Sequence, residues 1–246
     1  MNSLYVECYS GISGDMIVAA LLDLGASKQV LLKGLESLKV DGYKIEISRV
    51  NQNGINACDF NVVLNDDIVN STNTLIESER NIFDIFKIIE SSLITDNAKK
   101  LSKKIFEIKA SAEASAHETS IEEVYFHEKG AVDSIIDIVS AAICLDNLEI
   151  NEVIVSQIND GSGYLKCRRG IIPVPVPAVV NIVEEYNLDL KVTEINGEMV
   201  TPTGAAIIAA IRTSDILPKE LSCKKTGLGA GKRSYPNEGI LRMYLF

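Results

Sequence analysis

One stretch restricts the fold more than any other: Tyr125-Phe126-His127-Glu128-Lys129-Gly130-Ala131-Val132-Asp133-Ser134-Ile135-Ile136-Asp137-Ile138-Val139. It predicts a helix, and the apolar residues continue through Ala141, Ala142, Ile143 and Leu145. Such a helix is apolar almost all round and belongs inside a protein. Asp133 and Asp137 are four residues apart, so both carboxylates project from one face. Two like charges there are costly unless a metal, a cation or a solvated cleft compensates them. Spacing alone leaves two readings open. Either Asp133, Asp137, Ser140 and Cys144 form a narrow stripe toward solvent, or the aspartates line a cleft with a function.

Length and composition narrow the class. A chain of 246 residues suits one large domain or two small ones, with ample core. A net charge of −10 argues against a general nucleic-acid binder, though not against a small anionic ligand held by local cations. The five cysteines are scattered without a Cys-x-x-Cys pair, which fits reduced thiols in a cytosol and not a disulfide framework or a structural zinc site. The N-terminus lacks the basic start and apolar stretch of a signal peptide, and no run approaches the ~18 apolar residues of a membrane span. The expectation is a cytoplasmic protein with no membrane partner.

The order of elements predicts α/β or α+β architecture, mixed helices and strands in a compact single domain over 1–246, with room for two subdomains. Leu4 to Cys8 is a buried strand, and the loop Ser10 to Gly14 leads into a helix from Asp15 to Leu24 that Gly25 closes. A second helix covers Lys28 to Leu38. Tyr43 to Val50 and Ile55 to Leu64 alternate around Asn51-Gln52-Asn53-Gly54 as a hairpin. Residues 65–78, rich in Asn, Asp, Ser and Thr, are expected to be a flexible loop. Helix follows from Ile82 to His117, broken near Thr95-Asp96-Asn97. Glu152 to Ile158 is a strand running into a polar loop, Asn159 to Gly163. Pro173, Pro175 and Pro177 enforce extended backbone before a helix from Ala178 to Tyr186. Pro202 or Thr203 opens a helix to Ile211, and strands near Lys224 to Leu228 and Ile240 to Leu245 end the chain.

Three loops have the chemistry to hold an anion. Ser10-Gly11-Ile12-Ser13-Gly14-Asp15 joins a strand to a helix, where backbone N–H groups and close approach at glycine suit a phosphate or carboxylate. Asp15 would repel that anion unless it meets a metal or caps the helix. Thr201-Pro202-Thr203-Gly204 repeats the logic at another helix start, and ordinary capping explains it equally well. Gly227-Leu228-Gly229-Ala230-Gly231 precedes Lys232 and Arg233. Lys166, Arg168, Arg169, Lys224, Lys225, Lys232 and Arg233 form a local positive site if their loops converge, and a set of solvated charges if they do not. His127, beside Glu128, Asp133 and Asp137, completes a mixed N/O set suited to a borderline divalent ion such as Ni²⁺ or Zn²⁺.

Taken together, Cys8-Tyr9-Ser10-Gly11-Ile12-Ser13-Gly14-Asp15-Met16, Phe126-His127-Glu128, Gly130 to Ile138, Gly161-Ser162-Gly163 with Gly170 to Ala178, Gly197 to Ala206 and Gly227 to Gly231 resemble the LarC-type nickel-insertion proteins, in matching order over nearly the whole chain. The resemblance implies nickel insertion into pyridinium-3,5-bisthiocarboxylic acid mononucleotide, giving a nickel-pincer nucleotide cofactor. It implies a nickel chelatase or cyclometallase of the lyase class, dependent on CTP with Mg²⁺ or Mn²⁺. It makes His127, Glu128, Asp133 and Asp137 candidates for handling nickel, with Asp15, Asp133 and Asp137 as catalytic candidates. Ser10, Gly11, Ser13, Gly14, Arg168, Arg169, Thr201, Thr203 and Gly204 become candidates for the anionic mononucleotide. The family usually has His where Tyr125 and Arg169 stand here, and its full form carries a further C-terminal domain, expected from a separate partner chain in a larger oligomeric assembly. Two rival functions stay on the page: a non-catalytic component that presents nickel or precursor to a partner, and an unrelated enzyme acting on a nucleotide or phosphate.

Overall fold

The computed structural model describes residues 2–64, 80–126, 128–167, 170–214, 216, 222–233, 235 and 239–246, with the backbone alone for 128–130. The segment 65–78 expected to be a flexible loop lies outside these residues.

Strands β1 (Asn2–Glu7), β2 (Tyr43–Gln52), β3 (Ile55–Leu64), β4 (Ile150–Val155), β8 (Lys225–Ala230) and β9 (Ile240–Leu245) form a sheet in the order β2-β3-β8-β9-β1-β4. Strands β5 (Ile158–Cys167), β6 (Gly170–Val174) and β7 (Leu190–Asn196) form a second sheet, in the order β6-β5-β7. Both sheets are mixed. The β2–β3 hairpin is antiparallel, while β1–β4 and β5–β7 are parallel. Helices are α1 (Gly14–Asp23), α2 (Lys28–Glu36), α3 (Ile82–Ser91), α4 (Asp96–His117), α5 (Glu128–Asn147), α6 (Pro177–Glu185) and α7 (Pro202–Ile211). This is the mixed α/β class that the order of elements implies.

Helix α1 is the keystone. One side lies on β3 and β8, and the other packs against α5. The first contact depends on the glycines of β8: a Cβ on Gly229 would stand 2.0 Å from the Met16 carbonyl oxygen, and one on Gly227 would stand 2.2 Å from that of Ala20. Gly227 and Gly229 therefore serve helix packing inside a strand, and only Gly231 lies beyond its end. Small residues let the backbones approach, as they do wherever helix and strand meet without side chains between them.

The core runs from Leu4 and Val6 of β1 through Ile17 and Leu21 of α1 to Ile135 and Ile138 of α5, all fully buried. Phe106 of α4 and Phe126 meet edge to face at 6.0 Å. Helix α4 packs on α5, α6 and α7, so the helical layer holds the N-terminal half of α5 in place. That half carries the paired aspartates.

Two sequence expectations need correction. Asn159 to Gly163 is not a loop: it begins β5, and the preceding strand runs from Ile150 to Val155, not from Glu152 to Ile158. Polar residues fit inside this strand because Asp160 has backbone donors to accept and Gly161 lies flush against the next segment. The seven cations do not form one site either. Lys224 and Lys225 sit at the start of β8 and Lys232 and Arg233 beyond its end, with the strand between them, while Lys166 is exposed on the β5–β6 hairpin. Arg168 and Arg169 lie outside the described residues.

A candidate acidic cleft at the start of helix α1

The cleft is built from segments far apart in sequence. Beyond β1, the turn at Ser10 to Ser13 is stitched to the segment before α7. Ile12 N–H donates to the Met199 carbonyl at 2.9 Å, and Thr201 N–H donates to the Ile12 carbonyl at 3.0 Å. Asp160, fully buried, takes hydrogen bonds through one oxygen from the N–H groups of Gly161, Met199 and Val200 at 2.7, 2.8 and 3.0 Å. Three donors on one carboxylate oxygen lock that segment to β5. Gly11 and Gly204 belong to the stitching. A Cβ on Gly11 would fall 2.3 Å from the Met199 carbonyl oxygen, and one on Gly204 would fall 2.5 Å from that of Ile12. Close packing accounts for both glycines, and neither lines the cleft.

The resulting cleft has a volume of about 290 Å³. Ser10, Ser13, Gly14 and Asp15 line it from the start of α1, Asp133 and Asp137 from α5, and Thr201 and Thr203 from the start of α7. Residues placed on three distant stretches by sequence reasoning therefore converge. Of the residues expected to handle metal, Asp133 and Asp137 line the cleft, while His127 and the side chain of Glu128 lie outside what the structure describes.

The two helix starts differ. At α7, Thr201 accepts from Gly204 N–H at 3.1 Å, and Pro202 has no N–H to satisfy. At α1, Ser13 makes no side-chain cap and instead donates its hydroxyl proton to Asp15. The first turn of α1 thus has no side-chain acceptor from its N-cap, and the Met16 N–H meets the Asp15 carboxylate instead.

The acidic side has an unusual balance. Asp137 is 5% exposed, and among the described residues its Oδ1 has no hydrogen-bond partner. Its other oxygen lies against the backbone of Gly14, where a Cβ would come within 2.4 Å of it. Burial, then the charges of Asp133 and Asp15, pushes the Asp137 carboxyl well above the ordinary carboxylate range, and Lys109 and Lys232 oppose the shift. Asp133 opens toward solvent at the mouth of the cleft, yet protein surrounds it closely enough that desolvation and Asp15 raise it too. Asp15 is raised by burial, against the Ser13 hydrogen bond and Lys232. A cation at this wall would relieve the mutual repulsion of the three carboxylates. Among the described residues, no three His, Cys, Asp or Glu side chains close on a single point as a finished metal cage. The wall would supply some ligands of a cation and leave positions for others. The solvent-stripe reading fails, because Ser140 and Cys144 are buried along with Asp137.

Sequence reasoning missed two parts of the site. Lys109 of α4 is 7% exposed, donates to Ser134 Oγ at 2.6 Å and lies 5.3 Å from the centre of the Phe126 ring. It brings a positive charge to the back of the carboxylate wall. Its signal was legible, since it shares one helical face with Ser102, Ile105, Phe106 and Ala112, which are all buried. The second part is Glu198, 7% exposed, whose carboxylate pairs with Arg233 at 2.7 Å.

Fold and cleft together define a mixed α/β protein with a carboxylate-walled cleft. The model of the family described as "Nickel insertion protein" matches residues 4–245, and the chain belongs to that family. Among curated proteins, it is 55% identical over 99% of its length to a pyridinium-3,5-bisthiocarboxylic acid mononucleotide nickel insertion protein of Alkaliphilus metalliredigens. Proteins of the same name in Acetivibrio thermocellus and Clostridium kluyveri are 42% and 39% identical over the whole chain. The chain spans 60–62% of the length of these three relatives. No solved structure matches it.

Proposed function

We propose that this chain takes part in inserting nickel into a pyridinium bisthiocarboxylate mononucleotide, and that the acidic cleft is where nickel meets its acceptor. The observation that carries this reading is the buried Asp137 carboxylate, with one oxygen unpartnered among the described residues, beside Asp133 and Asp15 in a cleft of about 290 Å³. Nickel here is a substrate to be passed on. A wall that offers a few oxygen donors and no finished cage suits an exchangeable ion, because the acceptor's thiocarboxylate sulfurs can then compete for it. His127, just before α5, and Glu128, the first residue of α5, are proposed as further donors. Ser10, Ser13, Gly14, Thr201 and Thr203 at the helix starts, with Arg168 and Arg169, are proposed to receive the mononucleotide's anionic groups. The hard oxygen donors of the wall also suit Mg²⁺ or Mn²⁺. The resemblance alone suggests CTP as the nucleotide accompanying that ion. We place the protein in the cytoplasm; among the described residues no helix is long and apolar enough to cross a membrane.

The resemblance suggests an enzyme of the lyase class, and the region of the relatives that this chain does not span is proposed to be required for turnover. The test is to mix the purified chain with precursor, Ni²⁺ and CTP, with and without the remaining region of a full-length relative. Little nickel-pincer product from the chain alone and recovery on addition is the expected result. Robust product from the chain alone would refute the need for the remaining region, and no product from the complete mixture would refute nickel insertion at this site.

A further inference from the structure

Lys109 sits where a lysine is costly. An ammonium is almost never buried without a carboxylate paired to it, because its desolvation is expensive. Here the side chain is buried, and among the described residues it forms no ion pair. It donates instead to the Ser134 hydroxyl at 2.6 Å and lies over the Phe126 ring. Ser134 stands between the two aspartates of α5, one residue after Asp133 and three before Asp137. The ammonium is thus held within about one helical turn of both carboxylates and set directly on neither. Burial dominates the proton affinity of Asp133 and Asp137, and the charge of Lys109 opposes it at both. Burial likewise disfavours charge on Lys109, against the pull of Glu113, Asp133 and Asp137. Lys232, the other cation acting on these aspartates, is exposed and pairs with Asp59, so solvent screens it. Lys109 has no such screen.

We propose that Lys109 sets how firmly the cleft holds nickel. An ammonium placed on an aspartate would block a metal donor. One placed behind the carboxylates leaves their oxygens free and repels the divalent ion they bind. The positive charge of Lys109 therefore weakens the grip of the wall, and the ion can leave for its acceptor. Lys109 is a positioning residue, since it acts on the ion through the field at the aspartates and touches neither nickel nor acceptor. The role rests on the reading that nickel binds at this wall. A lysine kept only for stability predicts the opposite sign: its loss would loosen the packing of α4 on α5, which holds Asp133 and Asp137, and nickel binding would fall.

The two roles are separated by calorimetric titration of the metal-free chain with Ni²⁺ at about pH 8, where protons compete less with the metal for carboxylates. Lys109→Met keeps the length of the side chain, can pack on Phe126 and lacks the charge. It should bind nickel at least about tenfold tighter than the wild type, and loss of the ion to a chelator in stopped flow should slow by a similar factor. Lys109→Gln, which can still hydrogen-bond Ser134, should shift both readings the same way, and it carries the test if circular dichroism shows the methionine variant unfolded. Because the charge is buried, the ratio of variant to wild-type affinity should persist in about 0.5 M salt. Affinity equal to or weaker than that of the wild type in a folded variant overturns the proposal and leaves the cleft as the nickel site. A gain that salt abolishes overturns it too. A wild-type chain that binds no nickel, or binds it equally well as Asp137→Asn, refutes the cleft reading itself and the role of Lys109 with it.

Discussion

Asp137→Asn should weaken nickel binding by the chain at least about tenfold, the usual scale for a lost group at a metal shell, while making the metal-free protein more stable at pH 7. Both effects come from the same burial. The folded protein raises the Asp137 carboxyl above its unfolded value, chiefly by desolvation and then by repulsion from Asp133 and Asp15. Such a group favours the fold fully below the unfolded pKa of about 4 and loses that contribution as pH rises through its elevated folded value. Asparagine has no proton to lose. Scanning calorimetry should therefore find the variant's gain in Tm largest near neutrality and shrinking toward pH 4. A variant that is less stable at pH 7 and binds nickel normally would show that the carboxylate is an ordinary structural group.

Gly161→Ala should destabilise the protein by about 3 kcal/mol, at the upper end of what overpacking costs. A Cβ there would stand 1.9 Å from the Gly197 carbonyl oxygen and 2.6 Å from that of Ile195. Both are backbone atoms of the segment that Asp160 clamps, so no flexible side chain can swing aside. Urea unfolding measures the loss. Because the clamped segment carries Glu198 and Thr201 into the cleft, the variant should also bind ligand poorly under conditions where it remains folded. Wild-type stability in Gly161→Ala would mean that β5 and the Gly197 segment are not held this closely.

How much of this could be read from the sequence follows from how local each feature is. The apolar helix with Asp133 and Asp137, the α1 entry loop and the Thr201 cap are set within a few residues, and the structure has them at Glu128–Asn147, Gly14–Asp23 and Pro202–Ile211. Convergence of the three on one cleft was not legible. It depends on the Ile12–Val200 bridge and on Asp160 reaching the same segment, contacts between residues tens of positions apart. Glycine misled twice for one reason. In Asn159 to Gly163 and Gly227 to Gly231 it looked like loop chemistry, whereas it permits close packing inside strands, a need that only the partner reveals. Strand β7, Leu190 to Asn196, went unread because its apolar residues are few and its burial is slight. The spacing of Lys109 puts it on the inward face of α4, but its place behind the aspartates comes only from the packing of α4 on α5.

The central claim is that nickel reaches this protein at the carboxylate wall. Paramagnetic Ni²⁺ titrated into the isotope-labelled, tag-free chain tests it most directly, because resonances near the bound ion broaden first. At substoichiometric nickel the amide signals of Asp15, Asp133 and Asp137 should broaden before all others, and Asp137→Asn should abolish the effect. Broadening centred on His117 or on the exposed thiols of Cys167 and Cys223, with the start of α1 untouched, would contradict the account.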